Sequence, residues 1–374
     1  MFPTLPYLEW IDGRTEAAEH DFGSSDLRSS ADDGAVVPDP LRGRSAPDDA
    51  SLRAQLAAEY DVDEENVLVT AGATQANFLV AAAAIDLATT SETGRKPQVL
   101  AEKPGYQPLV VTPEALGARV DRFLRPDEEG FRLEPKRISN AVSDAFALAV
   151  AANRHNPSGN LSDRETLAEA AQACADADGY LLVDEVYAPY VRDADEGESP
   201  VRAFGGPTAA GLPNTVVTGS LTKFYGLGGL RIGWLIGPTE VVERAREVAR
   251  HLASVAEPSR RLARRAVHDA AELTASARDR LARNHELLES FVAERDALSG
   301  SVHPGGSFAL LSHAGATGDA FAEAAWDEGV LVVPGRFFNR PDHFRLALGR
   351  PPEEMAAGLD ALSEVVASVP ESGA

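Results

Sequence analysis

Ser220-Leu221-Thr222-Lys223-Phe224-Tyr225-Gly226-Leu227-Gly228-Gly229-Leu230-Arg231-Ile232-Gly233 follows a short apolar run at 215–218 and leads into another at 232–236. A polar, glycine-rich stretch between two such runs reads as a loop at the end of a buried strand. The loop holds one of only four lysines (Lys96, Lys103, Lys136, Lys223), against 31 arginines. Arginine neither sheds its proton nor forms a stable Schiff base; lysine does both. A chain that otherwise uses arginine therefore has a chemical use for this amine. A neighbouring cation and partial desolvation are expected to lower its pKa toward the nucleophilic range.

The same rhythm of apolar run, turn and helix extends outward from the loop. Runs fall at 66–70, 98–101, 146–152 and 180–183, and most are continuous rather than alternating. That suits strands buried on both faces, in a mainly parallel α/β sheet flanked by helices. Helices are expected before 66–70, with Leu52, Leu56 and Tyr60 on one face, after it through Leu87, and over 162–177. The last opens on Ser162 and Glu165, spaced as a capping box. After Gly237 the character changes. Residues 239–298 read as helices, followed by strands at 307–311, 330–333 and 343–348 and helices at 319–328 and 352–369. We divide the chain into a large unit, 45–240, and a smaller α+β unit, 241–374, joined by an N-terminal arm, 1–44. Residues 21–50 read as an irregular lead-in, and the arm is open to folding back onto the smaller unit.

In open α/β sheets ligands bind outside the carboxyl ends of the strands, and these ends carry distinctive residues. Gly72-Ala73-Thr74 offers small residues, a helix N-terminus and a hydroxyl to an anion; an ordinary capped helix reads the same way. Tyr106, in Lys103-Pro104-Gly105-Tyr106, can stack on a planar ligand or simply pack. In His155-Asn156-Pro157-Ser158-Gly159, proline and glycine explain themselves as a turn, whereas Asn156 is placed to donate into the crevice. Asp184, in Asp184-Glu185-Val186-Tyr187, ends a buried run. A carboxylate there is costly unless paired with a cation, in a structural salt bridge or in a ligand.

Taken in order, these elements resemble the fold type I, class I/II aminotransferase family of pyridoxal-phosphate (PLP) enzymes. The match runs from about Ser51 to the C-terminus: Gly-Ala-Thr, an aromatic, Asn-Pro-x-Gly, Asp-x-x-Tyr, Ser-x-x-Lys and a late arginine, Arg345. The resemblance implies that Lys223 forms the Schiff base with PLP and then moves protons at the substrate α-carbon. It implies that Asp184 pairs with the pyridinium nitrogen, so that the ring draws electrons. Asn156 and Tyr187 would bind the ring oxygen, Tyr106 would stack on the ring, and Ala73, Thr74, Ser220 and Arg231 would hold the phosphate. Arg345, together with Asn156, would grip the substrate α-carboxylate, and Ser24, in Phe22-Gly23-Ser24-Ser25, would lie near the substrate. Family members often carry a tyrosine that reaches the partner subunit's phosphate; here the region is Arg42-Gly43-Arg44-Ser45, with an arginine as the candidate replacement. The implied activity is transfer of an amino group between an amino acid and a 2-oxo acid in a homodimer. A lyase, decarboxylase or cyclase on the same fold is the alternative, and the opening Leu8-Glu9-Trp10 resembles capreomycidine-synthase-like members, which cyclise a modified arginine.

Charge narrows the partners. The formal net charge is −23 over 374 residues, which repels nucleic acid and anionic membrane surfaces and disfavours a PLP-binding transcription regulator. The acidic, lysine-poor composition is expected of a protein working at high salt, the alternative being an acidic protein from a GC-rich genome. The single cysteine, Cys174, excludes an intrachain disulfide and a thiolate zinc cluster. With no basic start followed by an apolar run, the opening residues are expected to belong to a cytoplasmic protein.

Overall fold

The computed structural model describes residues 3–27, 37–46, 49–89, 95–190, 202–204 and 206–368; parts of the lead-in expected at 21–50 lie outside them. In chain order the first elements are α1 (Pro6–Ile11), α2 (Arg14–Ala17), β1 (His20–Asp21), α3 (Leu52–Tyr60), β2 (Val67–Thr70), α4 (Ala73–Thr89), β3 (Gln98–Lys103), α5 (Gln107–Ala115) and β4 (Arg119–Leu124). Next come α6 (Pro135–Ser139), β5 (Phe146–Ala152), α7 (Arg164–Ala175), β6 (Tyr180–Asp184), the two-residue strands β7 (Arg202–Ala203) and β8 (Gly206–Pro207), β9 (Thr215–Ser220) and β10 (Gly233–Ile236). The chain continues through α8 (Thr239–Ala249), α9 (Glu257–His268), α10 (Ala270–Ala293), β11 (Leu298–Ser301), β12 (Phe308–His313), α11 (Gly318–Asp327), β13 (Val330–Leu331), β14 (Val333–Pro334), β15 (His343–Ala347) and α12 (Pro352–Ser368).

Seven strands form one sheet in the order β2-β10-β9-β6-β5-β3-β4. All pair in parallel except β10, which is antiparallel to both β2 and β9. The continuous apolar runs are explained by burial on both faces. Leu148 and Val150 of β5, Leu182 of β6 and Val216 of β9 pack with Ala76, Leu79, Val80 and Ala83 of α4. The alternate residues Ala149, Ala151, Val183 and Val217 join a core on the other face, with α3, α7 and α9. This is the two-residue period of a strand meeting helices on each side. A second sheet, β11-β12-β15-β14, is antiparallel. The arm does fold back: β1 pairs in parallel with β13, and the Phe22 carbonyl accepts from the Ala347 N–H at 2.8 Å.

Register places the site. Asp184 stands opposite Ala152 and Thr218, and Gly233 stands opposite Thr70 and Ser220. The carboxyl ends of β2, β5, β6 and β9 therefore open on one crevice. Two local expectations are corrected. The cap of α7 is Asp163, whose carboxylate accepts from the Thr166 N–H at 2.8 Å. Ser162 is instead tied by its backbone to the Asn153 side chain, at 3.0 and 3.1 Å, so the capping box does not form. The 330–333 run is not one strand: β13 pairs with the arm, and β14 pairs with β15.

Candidate active site

A cavity of about 230 Å³ lies at these strand ends. Of the residues singled out in the sequence, Ala73, Thr74, Tyr106, Asn156, Asp184, Tyr187, Ser220, Lys223, Arg231 and Arg345 all line it. Ser24 does not. Asp21 Oδ1 accepts from the Gly23 and Ser24 N–H groups at 2.9 and 3.0 Å, and this tight turn presents Ser25 to the cavity instead, with its Oγ 2.9 Å from the Tyr187 hydroxyl.

One end of the cavity is an anion cradle. The loop after β2 meets α4 at Gly72, which has φ +83°, and an added Cβ there would lie 3.1 Å from Arg231 Nη2. An added Cβ at Gly233 would approach the Ala73 nitrogen to 2.6 Å. Both glycines are thus required by close approach. The long helix α4 points its free N–H groups and partial positive charge at this end, beside the hydroxyls of Thr74 and Ser220 and the Arg231 guanidinium.

Asp184 ends β6 on the cavity wall and is only 5 % exposed. Its Oδ2 accepts from Asn77 Nδ2 at 2.9 Å and its Oδ1 from the Val186 N–H at 3.2 Å; Thr218 in turn donates to Asn77 Oδ1 at 2.7 Å. Burial nevertheless pushes its carboxyl above the usual range, against the opposing pull of Asn77, Val186 and the Lys223 charge. A buried carboxylate left short of compensation is a place for a bound cation. Its neighbour Glu185 is held by Thr208 at 2.7 Å and the Ala209 N–H at 2.6 Å, and burial pushes it to about 8.

Lys223 faces the same space. Burial pulls its pKa down, but Tyr187, Asp26 and Tyr7 together outweigh burial, and the amine sits above its ordinary range. This corrects the expected lowering: the surroundings that dominate are phenols and a carboxylate, and Arg345 opposes them only weakly. The backbone of the lysine loop is fixed to the arm by the Leu27 N–H, which donates to the Lys223 carbonyl at 2.9 Å.

Arg345 closes the far end. It sits on β15, opposite Leu310 and Val333, and is 2 % exposed. Nη1 donates to Asn156 Oδ1 at 3.0 Å, and Nη2 donates to the Gly23 carbonyl at 3.0 Å and the Tyr7 hydroxyl at 3.2 Å. Arg345 is therefore buried on an inner strand of the second sheet. Because Asn156 accepts through its oxygen, its amide N–H donors remain available toward the cavity.

Asn77 and Tyr7 escaped the sequence reading. Asn77 carried a usable signal: it lies four residues after Ala73, on the same helix face as the cradle. Tyr7 carried none, since only the fold-back of the arm brings it in. Arg42 and Arg44, at the place of the missing tyrosine, do not line the cavity. Arg44 donates to Asp269 at 3.1 Å and to both Glu272 oxygens at 2.9 Å, and Arg42 pairs with Asp39 at 2.9 Å. Both guanidiniums are committed to carboxylates of their own chain.

The Lys223 amine, the buried Asp184 carboxylate and the anion cradle at the carboxyl ends of the large sheet, with Arg345 reaching the same cavity from β15 of the second sheet, fit a PLP-dependent enzyme of fold type I. A family model described as "Aminotransferase class I and II" matches residues 42–362, and the chain belongs to this family. It is 29 % identical to capreomycidine synthase of Streptomyces vinaceus over 381 aligned positions, covering 97 % of this chain and 93 % of the relative. It is 25 % identical to an aspartate aminotransferase of Streptomyces avermitilis, covering 94 % and 88 %. A PLP-dependent aminotransferase from Streptococcus suis 89-1591 shares its fold over all of both chains, with a TM-score of 0.83 and 23 % identity.

Proposed function

We propose that the protein is an aminotransferase that moves an amino group between an amino acid and a 2-oxo acid. The observation that carries this reading is the placement of Lys223, Asp184 and Arg345 around one cavity of about 230 Å³. The residues present suit PLP. The cradle of Ala73, Thr74, Ser220 and Arg231 fits its phosphate, Asp184 its ring nitrogen, Asn156 and Tyr187 its ring oxygen, and Tyr106 its ring face. When bound, PLP supplies an electron sink for charge developing at the substrate α-carbon.

The chain's own residues do the remainder. Arg345, held in orientation by Asn156 and the Gly23 carbonyl, pairs with the substrate carboxylate. That fixes the α-carbon, and the Lys223 amine, once it has given up its own proton, takes the α-proton and passes it on rather than returning it to the same carbon. Asp184, which accepts from Asn77, would hold a proton on the ring nitrogen of the group.

Residues 45–240 form the cofactor-binding unit in this reading, and the arm with 241–374 forms the substrate-closing one. We further propose a cytoplasmic homodimer suited to high salt, on the strength of its acidic charge and family; among the described residues no helix is long and apolar enough to cross a membrane. A cyclase or lyase reading is favoured by one observation, the 29 % identity to a capreomycidine synthase along nearly the whole chain. The two separate when PLP-loaded enzyme is mixed with single amino acids and no acceptor. One equivalent of 2-oxo acid per site, without ammonia, supports transamination. Ammonia, CO₂ or a cyclised product contradicts it.

A further inference from the structure

Tyr7 touches both ends of the substrate side of the cavity. Its N–H donates to Gln107 Oε1 at 3.0 Å, which pins α1 onto the first turn of α5 beside Tyr106. Its ring stands edge-on to Tyr106 (centroids 6.0 Å, 80°) and to Phe337 (5.5 Å, 64°), and the side chain is 8 % exposed. It is thus a rigid aromatic wall rather than a loose arm residue. Its hydroxyl accepts from Arg345 Nη2 at 3.2 Å. A phenol that accepts from a guanidinium keeps its own O–H proton to give. The guanidinium's three acceptors, Asn156 Oδ1, the Gly23 carbonyl and Tyr7, are all uncharged, and its Nε is buried without a partner. A buried cation satisfied only by neutral oxygens is poised for an anion, and the spare phenol proton lies beside the place where that anion must sit.

We propose that Tyr7 is a specificity-determining residue whose hydroxyl donates a second hydrogen bond to the substrate carboxylate held by Arg345. The inference rests on the reading of Arg345 as the carboxylate anchor. It extends the anchor to a phenol on the N-terminal arm.

The test uses PLP-loaded enzyme and two simple probes, butanoate and its uncharged counterpart butanamide, titrated by calorimetry. Tyr7→Phe keeps the ring and removes only the donor. It should raise the butanoate Kd roughly tenfold, the weight of one hydrogen bond to a charged group, and leave butanamide binding and the melting temperature unchanged. With an amino-acid substrate, KM should rise by a similar factor while kcat stays within about twofold. Equal butanoate binding by Tyr7→Phe and the unaltered enzyme, with binding lost in Arg345→Ala, overturns the proposal and leaves the anchor standing. Unchanged binding in Arg345→Ala overturns both.

Discussion

Replacing Asn77 with alanine tests the electrostatics of the site without touching a group that contacts substrate. The change removes the 2.9 Å bond from Nδ2 to Asp184 and leaves the Thr218 hydroxyl without the acceptor it reaches at 2.7 Å. A hydrogen bond to a charged group contributes about 1.5–3 kcal/mol. Asp184 is already pushed upward by burial, and Asn77 is the leading opposing influence. In Asn77→Ala the carboxyl therefore moves further up and is neutral over more of the pH range, so it no longer offers a charge to a protonated ring nitrogen. The PLP Kd should rise by about 10–100-fold, the equivalent of that energy. The sign with pH follows: a raised carboxyl is protonated at the acid end, so the gap from the unaltered enzyme is widest at the acid end of the working pH range and closes as pH rises. Equilibrium dialysis with PLP across that range reads it directly. Equal affinity at every pH, or a gap that widens as pH rises, refutes the assignment of Asp184 as the cation's partner.

Three further outcomes follow from the same geometry. Gly72→Ala forces a Cβ toward Arg231 at φ +83°; it should cost about 1–2 kcal/mol and weaken binding of PLP, and of inorganic phosphate to the empty enzyme, by tenfold or more in direct titrations. Glu185 titrates near 4.5 when unfolded and at about 8 when folded, so its stabilising contribution is complete below pH 4.5 and is lost as pH rises to about 8; denaturant unfolding of Glu185→Gln should show a flatter stability profile over that interval. Arg44→Ala breaks the pairs with Asp269 and Glu272, in which both sides keep solvent contact, and the exposed bond from Nε to the Pro40 carbonyl at 2.6 Å; it should change stability by no more than about 1 kcal/mol and leave the PLP Kd unchanged, whereas a large loss of PLP affinity would make Arg44 a phosphate ligand.

Most of the large sheet was legible because its strands are buried on both faces and so read as unbroken apolar runs, and because the residues at their carboxyl ends are chemically out of place in an apolar pattern. Asp184, Asn156 and Lys223 stand out for that reason. The strand β4 did not, because it is the sheet edge: Arg119 is exposed, and the half-buried Asp121 and Arg122 bond to Gln98 and to the Ala101 carbonyl of β3. The antiparallel direction of β10 leaves no mark in four apolar residues. Contacts made by the arm were the least legible. Choosing Ser25 over Ser24 depends on a turn closed by Asp21, and bringing Tyr7 to Arg345 depends on β1 finding β13 more than 300 residues away. A periodic pattern carries no information about such pairings.

The central claim is that the Lys223 amine is the group that takes up PLP. Incubating the protein with PLP, reducing with borohydride and mapping the added mass by peptide mass spectrometry tests it. One pyridoxyl group per chain on the peptide containing Lys223, absent from Lys223→Ala, is the predicted result. Labelling at Lys96, Lys103 or Lys136 instead, or equal labelling of Lys223→Ala, contradicts it.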